Sequence, residues 1–183
     1  QKLLTYYHGE VVPALATAVT LDHAFPQEVL NEVRNALTHM GRANALDPEK
    51  DKDSSQKELQ AAKRHLMRCT LDSLKVILLS IAKRCDGTLT ALNREMLLPA
   101  SVNQEAHELR RRRIEVATHE GQQPIDAIVE RLKVLCDDYD KFSERIHSEF
   151  TGDAIVEMSK GKRLDKWVER LWGFLLGTIS GVA

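Results

Sequence analysis

PIDAIVERLKVLCDDYDKFSERIHSEF, residues 124–150, decides the fold of this chain. Ile125, Ile128, Leu132, Leu135, Tyr139, Phe142, Ile146 and Phe150 recur at three- and four-residue steps. That period lays them in one stripe along a long helix and suits left-handed helix packing. Pro124 opens the helix. A stripe of this length serves an intramolecular bundle or an oligomer, and spacing does not separate the two.

Working outward, the same period appears twice more. In PQEVLNEVRNALTHMGRANA, residues 26–45, Val29, Leu30, Val33, Leu37 and Met40 form the predicted inward face. Pro26 fits a first helical turn, and Gln27, Glu28 and Glu32 lie near the positive end of the helix dipole. Arg34, Asn35, Thr38 and His39 share an adjoining polar face. From about Gln56 to Asp86, Leu59, Ala62, Leu66, Leu74, Ile77, Leu78 and Ile81 predict a long helix, with Gly87 after Lys83 and Arg84 as its stop. Within it Arg68 and Asp72 are one turn apart, within salt-bridge reach.

The connecting segments read as follows. Residues 2–23 predict two short helices or one bent one, because Pro13 removes a donor and crowds the preceding turn. LDPEKDKDSS, residues 46–55, predicts a loop or linker with too little apolar surface to order itself. Thr88–Leu98 predicts a short helix stopped by Pro99. Ser101, Val102 and Asn103 offer caps for a charged helix that ends at Gly121. In that helix Arg110, Arg111, Arg112 and Arg113 span all sides of one turn. Pairing with Glu105, Glu108 and Glu115 on a solvated helix competes there with a local phosphate-binding patch.

Composition agrees with an all-α multi-helix bundle. The 183 residues include only 9 Gly and 5 Pro, with 5% aromatic residues, and suffice for one sizeable core. The 26 basic and 27 acidic residues leave a net charge of -1, so any nucleic-acid contact must come from a local patch. Cys69, Cys85 and Cys136 have no paired ligand spacing and read as reduced cytosolic thiols. No Gly-rich phosphate loop, nucleophile elbow, HExxH or paired-cysteine site occurs, and neither metal nor cofactor is expected. His107 and His119 are too far apart on one helix for a close ligand pair. LLTYYHGEVVPALATAV, residues 3–19, lacks the basic lead-in of a secretory signal.

The C-terminal end changes character. Residues 1–152 read as a cytosolic bundle, and residues 153–183 as a basic amphipathic helix leading into an apolar, transmembrane segment. Lys160, Lys162, Arg163, Lys166 and Arg170 form a basic collar, and LWGFLLGTISGVA follows with no charge. Trp167 and Trp172 stand where interfacial tryptophans collect. Gly173, Gly177 and Gly181 make a strip on which membrane helices can approach closely. Thirteen apolar residues are fewer than the ~20 of a full span, so a buried terminal helix of the bundle is the competing reading.

Arg34, Asn35 and His39, as R-N-x-x-x-H, resemble the RxxxxH signature of HEPN domains, helical bundles of prokaryotic defence and toxin systems. Arg64-His65-Leu66-x-Arg68 with Leu71-Asp72 is similar to a second recurrent element of such proteins. The resemblance implies metal-independent attack of a ribose 2′-OH on the neighbouring phosphate at a dimer interface. His39 would be the acid/base, Arg34 the phosphate clamp and Asn35 the orienting group. Arg64, His65 and Arg68, with the run Arg110 to Arg113, are the candidate residues for binding nucleotide or RNA phosphate. An Arg fork and a His that titrates near neutrality suit that chemistry.

Two functions follow as expectations. The first is the sensing and oligomerisation domain of a membrane-anchored anti-phage effector at the cytoplasmic face of the inner membrane. A nucleotide or nucleic-acid signal would act on a homo-oligomer and so control C-terminal helices that form a pore or disrupt the bilayer. The second is a HEPN endoribonuclease using Arg34 and His39.

Overall fold

The computed structural model describes residues 2–47, 49–94 and 98–150, and every regular element among them is helical. The chain begins with α1 (Lys2–Tyr6), a π-helical turn (Tyr7–Val11) and α2 (Val12–Asp22), which join without a break into one rod. Then follow α3 (Gln27–Ala45), α4 (Lys52–Arg94), α5 (Ala100–His119) and α6 (Ile125–Glu149), giving five rods in all among the described residues. Pro13 therefore neither breaks the first helix nor splits it in two. The wider π turn directly ahead of it takes up the missing amide donor and the ring's crowding.

The bundle is assembled around α4, whose 43 residues extend over about 65 Å at 1.5 Å per residue. Around its centre Cys69, Thr70, Leu71, Ser73 and Leu74 are buried almost in succession, so this helix is covered on all sides there. The first rod runs alongside it, with the Tyr6 hydroxyl donating to Thr70 Oγ1 at 3.4 Å. Antiparallel α3 covers its first half. Antiparallel α5 returns along its second half, bringing Arg110 to Asp86 and Glu120 to Lys75, and α6 runs parallel to it.

Two apolar clusters are strung along α4. Val11, Val29, Ala36, Leu66 and Cys69, with Leu3, Tyr6, Tyr7, Leu15 and Val33 against them, form the smaller. The larger joins α4, α5 and α6 with Ala18 of α2. Ile128, Leu132, Leu135, Tyr139, Phe142, Ile146 and Phe150 all lie in it, so the 124–150 seam packs within the chain.

Helix ends depart from the sequence reading at three places. First, α4 runs through Gly87 to Arg94, because Leu89 and Leu92 are buried in the larger cluster and outweigh the ~1 kcal/mol cost of a helical glycine. The separate helix expected from Thr88 is thus the end of α4. Second, α5 starts at Ala100 with Pro99 as its cap, which puts Ser101 and Asn103 inside the first turn. Pro26, Pro99 and Pro124 all stand one residue before a helix in extended geometry. Their carbonyls accept the first helical bonds from Leu30, Asn103 and Ile128 at 3.2, 3.1 and 3.2 Å. Third, the α3–α4 connection is a tight turn, in which Asp47 Oδ1 accepts from the amides of Glu49 and Lys50 at 2.9 and 3.2 Å. The basic collar, Trp167, Trp172 and the Gly173, Gly177, Gly181 strip lie outside the described residues. Among those described, no helix is long and apolar enough to cross a membrane.

Candidate functional site

The α3–α4 hairpin is built on a repeated spacing. Glu32, Ala36, His39, Arg42 and Ala43 on α3 are matched by Glu58, Ala62, His65, Arg68 and Cys69 on α4. Ala36, Ala43, Ala62 and Cys69 are all buried, and these small side chains let the two helices lie close. Antiparallel pairing then sets Glu32 against His65 and His39 against Glu58. Each Nδ1 stands 2.6 Å from a carboxylate Oε2. Helical side chains lean toward the helix N-terminus, so His39 and His65 lean toward each other from opposite directions. Their rings stack with centroids 5.2 Å apart and planes inclined by 16°.

This cluster is open on one side. The four side chains retain 19–28% of their exposure. With a carboxylate accepting at Nδ1, each ring is fixed as the Nδ1–H form or the imidazolium, and Nε2 is the nitrogen left for exchange or for an incoming group.

The other predicted residues are placed differently. Arg34 is exposed, and its five-residue offset from His39 puts it on another flank of α3. Leu30 and Leu37, 38% and 62% exposed, share that flank. Asn35 is half-buried and makes no hydrogen bond to Arg34 or His39; the group that orients His39 is Glu58. Thr38 Oγ1 donates to the Arg34 carbonyl at 2.9 Å. Arg64 and Arg68 are exposed and enter no ion pair among the described residues. The Arg68–Asp72 pair does not form, because Asp72 takes Lys75 Nζ at 3.2 Å instead, and Lys75 also reaches Glu120 on the neighbouring α5 segment.

The four-arginine run does not make one patch. Arg110 donates to Asp86 of α4 through Nε and Nη2 at 3.0 and 2.6 Å, and Arg112 meets Asp138 of α6 at 2.8 Å. Arg111 alone takes a partner named from sequence, Glu108, through bonds of 2.9 and 2.7 Å. That exposed pair holds the Glu108 carboxyl below its usual range through the Arg111 hydrogen bonds. Glu115 pairs with Arg131 and Glu105 with Arg145 on α6. Three of the four guanidiniums thus serve as cross-links or local pairs, and those of Arg110 and Arg111 already engage a carboxylate through two nitrogens.

The cysteines are free and buried. Burial pushes the Cys69 and Cys136 thiols up to about 12, helped by Asp72 and Glu32 at the first and by Asp137 and Asp140 at the second. Such thiols are poor nucleophiles. His119 donates from Nδ1 to the Glu115 carbonyl at 2.8 Å. Among the described residues no group of three or more His, Cys, Asp or Glu side chains is arranged to hold a metal ion.

Sequence reasoning named His39, His65 and Arg68 but missed Glu32 and Glu58 as their partners and Arg42 as the counterpart of Arg68. The signal was present as E-x6-H-x2-R, occurring once on each helix of the hairpin. No protein-family model, curated protein or solved structure matches this chain.

Proposed function

We propose that residues 1–152 are the cytosolic sensing and oligomerisation domain of a HEPN-like, membrane-anchored anti-phage effector. It would sit at the cytoplasmic face of the inner membrane and govern C-terminal membrane helices that form a pore or disrupt the bilayer. The observation that carries this reading is the division of α3 into two unlike working surfaces. One flank presents Leu30, Arg34 and Leu37, with Leu4 of α1 lining the slot beside Leu37, and suits a second copy of the chain. The other holds the His39–His65 cluster against α4, where a signal can be read. A ligand that favours one arrangement of this hairpin would be felt on the assembly flank, because both belong to a single rigid helix. The 124–150 seam itself packs within the chain.

Light scattering of the full chain in detergent, together with dye release from anionic vesicles, tests the reading. A multimer that Leu37→Asp reduces to a monomer, and leakage that Gly177→Leu abolishes, are the expected results. A monomer that leaves vesicles intact under all conditions removes it.

A second reading, a metal-independent HEPN endoribonuclease, is favoured by one specific contact. Glu58 holds His39 by Nδ1 and leaves Nε2 for proton exchange with a ribose 2′-OH. RNA cleavage that is lost in His39→Ala while the multimer persists would select it. Absence of cleavage by the unmodified chain would end it.

A further inference from the structure

We propose that the open rim of the α3–α4 hairpin is a phosphoryl-anion site, formed by Nε2 of His39 and His65 with the guanidiniums of Arg42 and Arg68 on either side. This names the chemistry of the signal and so rests on the sensing reading above.

The argument begins from helical position. Arg42 follows His39 by three residues and Arg68 follows His65 by three, so each lies on its histidine's face about one turn further on. Because side chains lean toward the helix N-terminus, Arg42 reaches back toward His39 and Arg68 toward His65. The two helices run oppositely, so both guanidiniums reach inward along the rim toward the same stacked pair of rings. Arg42 and Arg68 are exposed and enter no ion pair among the described residues.

Charge on the rim supports an anion. Glu32 and Glu58 are each committed to a ring Nδ1, and Asp72, the remaining acid beside Arg68, is engaged by Lys75. Glu28, exposed on the same stripe of α3, stands one turn before Glu32, away from Arg42. Two guanidinium forks that enter no ion pair among the described residues therefore flank two ring nitrogens that can donate when protonated. Planar guanidiniums and imidazolium N–H groups match the tetrahedral oxygens of a phosphoryl group. The hairpin turn on one side and the first rod behind the small apolar cluster hold this frame in place.

The same chemistry is offered by a free nucleotide and by an RNA backbone, and the test separates them. Titration calorimetry of the full chain is run with inorganic phosphate, ATP and a short single-stranded RNA, while the imidazole Hε1 signals of His39 and His65 are followed by NMR. At least one of the three probes is expected to bind and to move those two signals rather than the other five. Arg42→Ala with Arg68→Ala should weaken binding by about tenfold or more, whereas Lys83→Ala with Arg84→Ala, at the far end of α4, should stay within about twofold. Both pairs are exposed, and unchanged helicity confirms that each variant folds. Binding of RNA without ATP assigns the site to a polymer backbone, and the reverse assigns it to a nucleotide. No binding by any probe, or equal loss in the two double variants, overturns the site. Vesicle leakage without binding would sink this proposal alone, and binding without leakage would sink only the membrane reading.

Discussion

Replacing Gly87 by Ala reports directly on the continuity of α4. Gly87 sits within a helix that runs from Lys52 to Arg94, and no described glycine has positive φ. A Cβ built on it meets nothing within 4 Å. The substitution therefore gains helix propensity of roughly 0.8–1 kcal/mol with no steric charge against it. For a chain of this size that corresponds to a rise in Tm of about 2–4 °C. Were Gly87 instead a left-handed helix stop, alanine would be forced into positive φ and destabilise by a similar or larger amount. The two geometries thus predict opposite signs. Urea melts followed by circular dichroism at 222 nm measure the difference, with Gly41→Ala as a companion, since it is helical and equally unobstructed. A loss of stability in Gly87→Ala, with Gly41→Ala stabilising, would refute the continuous helix.

Three further outcomes are expected. A double-mutant cycle on His39→Ala and Glu58→Ala should give a coupling of about 1 kcal/mol, since the 2.6 Å pair is only partly screened; additive effects would show that the pair contributes nothing. Phe142→Ala should destabilise by about 3–5 kcal/mol in a denaturant melt, because its ring is buried between α4 and α6; a change within 1 kcal/mol would contradict that packing. Cys69 and Cys136, with folded values near 12 against an unfolded value of about 9, should hold full stability below pH 9 and lose it as pH rises toward 12. Melts of the wild type and of Cys69→Ala/Cys136→Ala between pH 8 and 11 measure this: the wild type should lose more, and parallel curves would refute it.

Periodicity made the helices of 26–45, 56–86 and 124–150 readable, since a stripe of Val, Leu and Ile has one way to leave water. It did not reveal where α4 ends: Gly87 and its preceding Lys83 and Arg84 form a reasonable local stop, and only burial of Leu89 and Leu92 against other helices overrides it. Charge pairing was less legible still. Arg68 and Asp72 satisfy the helical rule, yet Lys75 competes for the same carboxylate. Asp86 and Asp138 lie too far along the chain from Arg110 and Arg112 for spacing to nominate them. The histidine cluster was half-visible. His39 and His65 stood out as residue types, but Glu32 and Glu58 acquire meaning only when the two helices are laid antiparallel in the register that their alanines permit.

The buried middle of α4 bears on how the molecule opens. Residues 69–74 form walls for the smaller cluster on one side and the larger on another, so parting the helices from α4 here exposes apolar surface of both clusters. Amide exchange there should proceed only through global unfolding. The first turns after Lys52 can fray at little cost, since few of their side chains are covered, whereas Leu89 and Leu92 pin the far end in the larger cluster. Twisting or sliding of the α3 end would then be transmitted to the α5–α6 end as motion of one stiff shaft, and a population of half-unfolded molecules would be scarce.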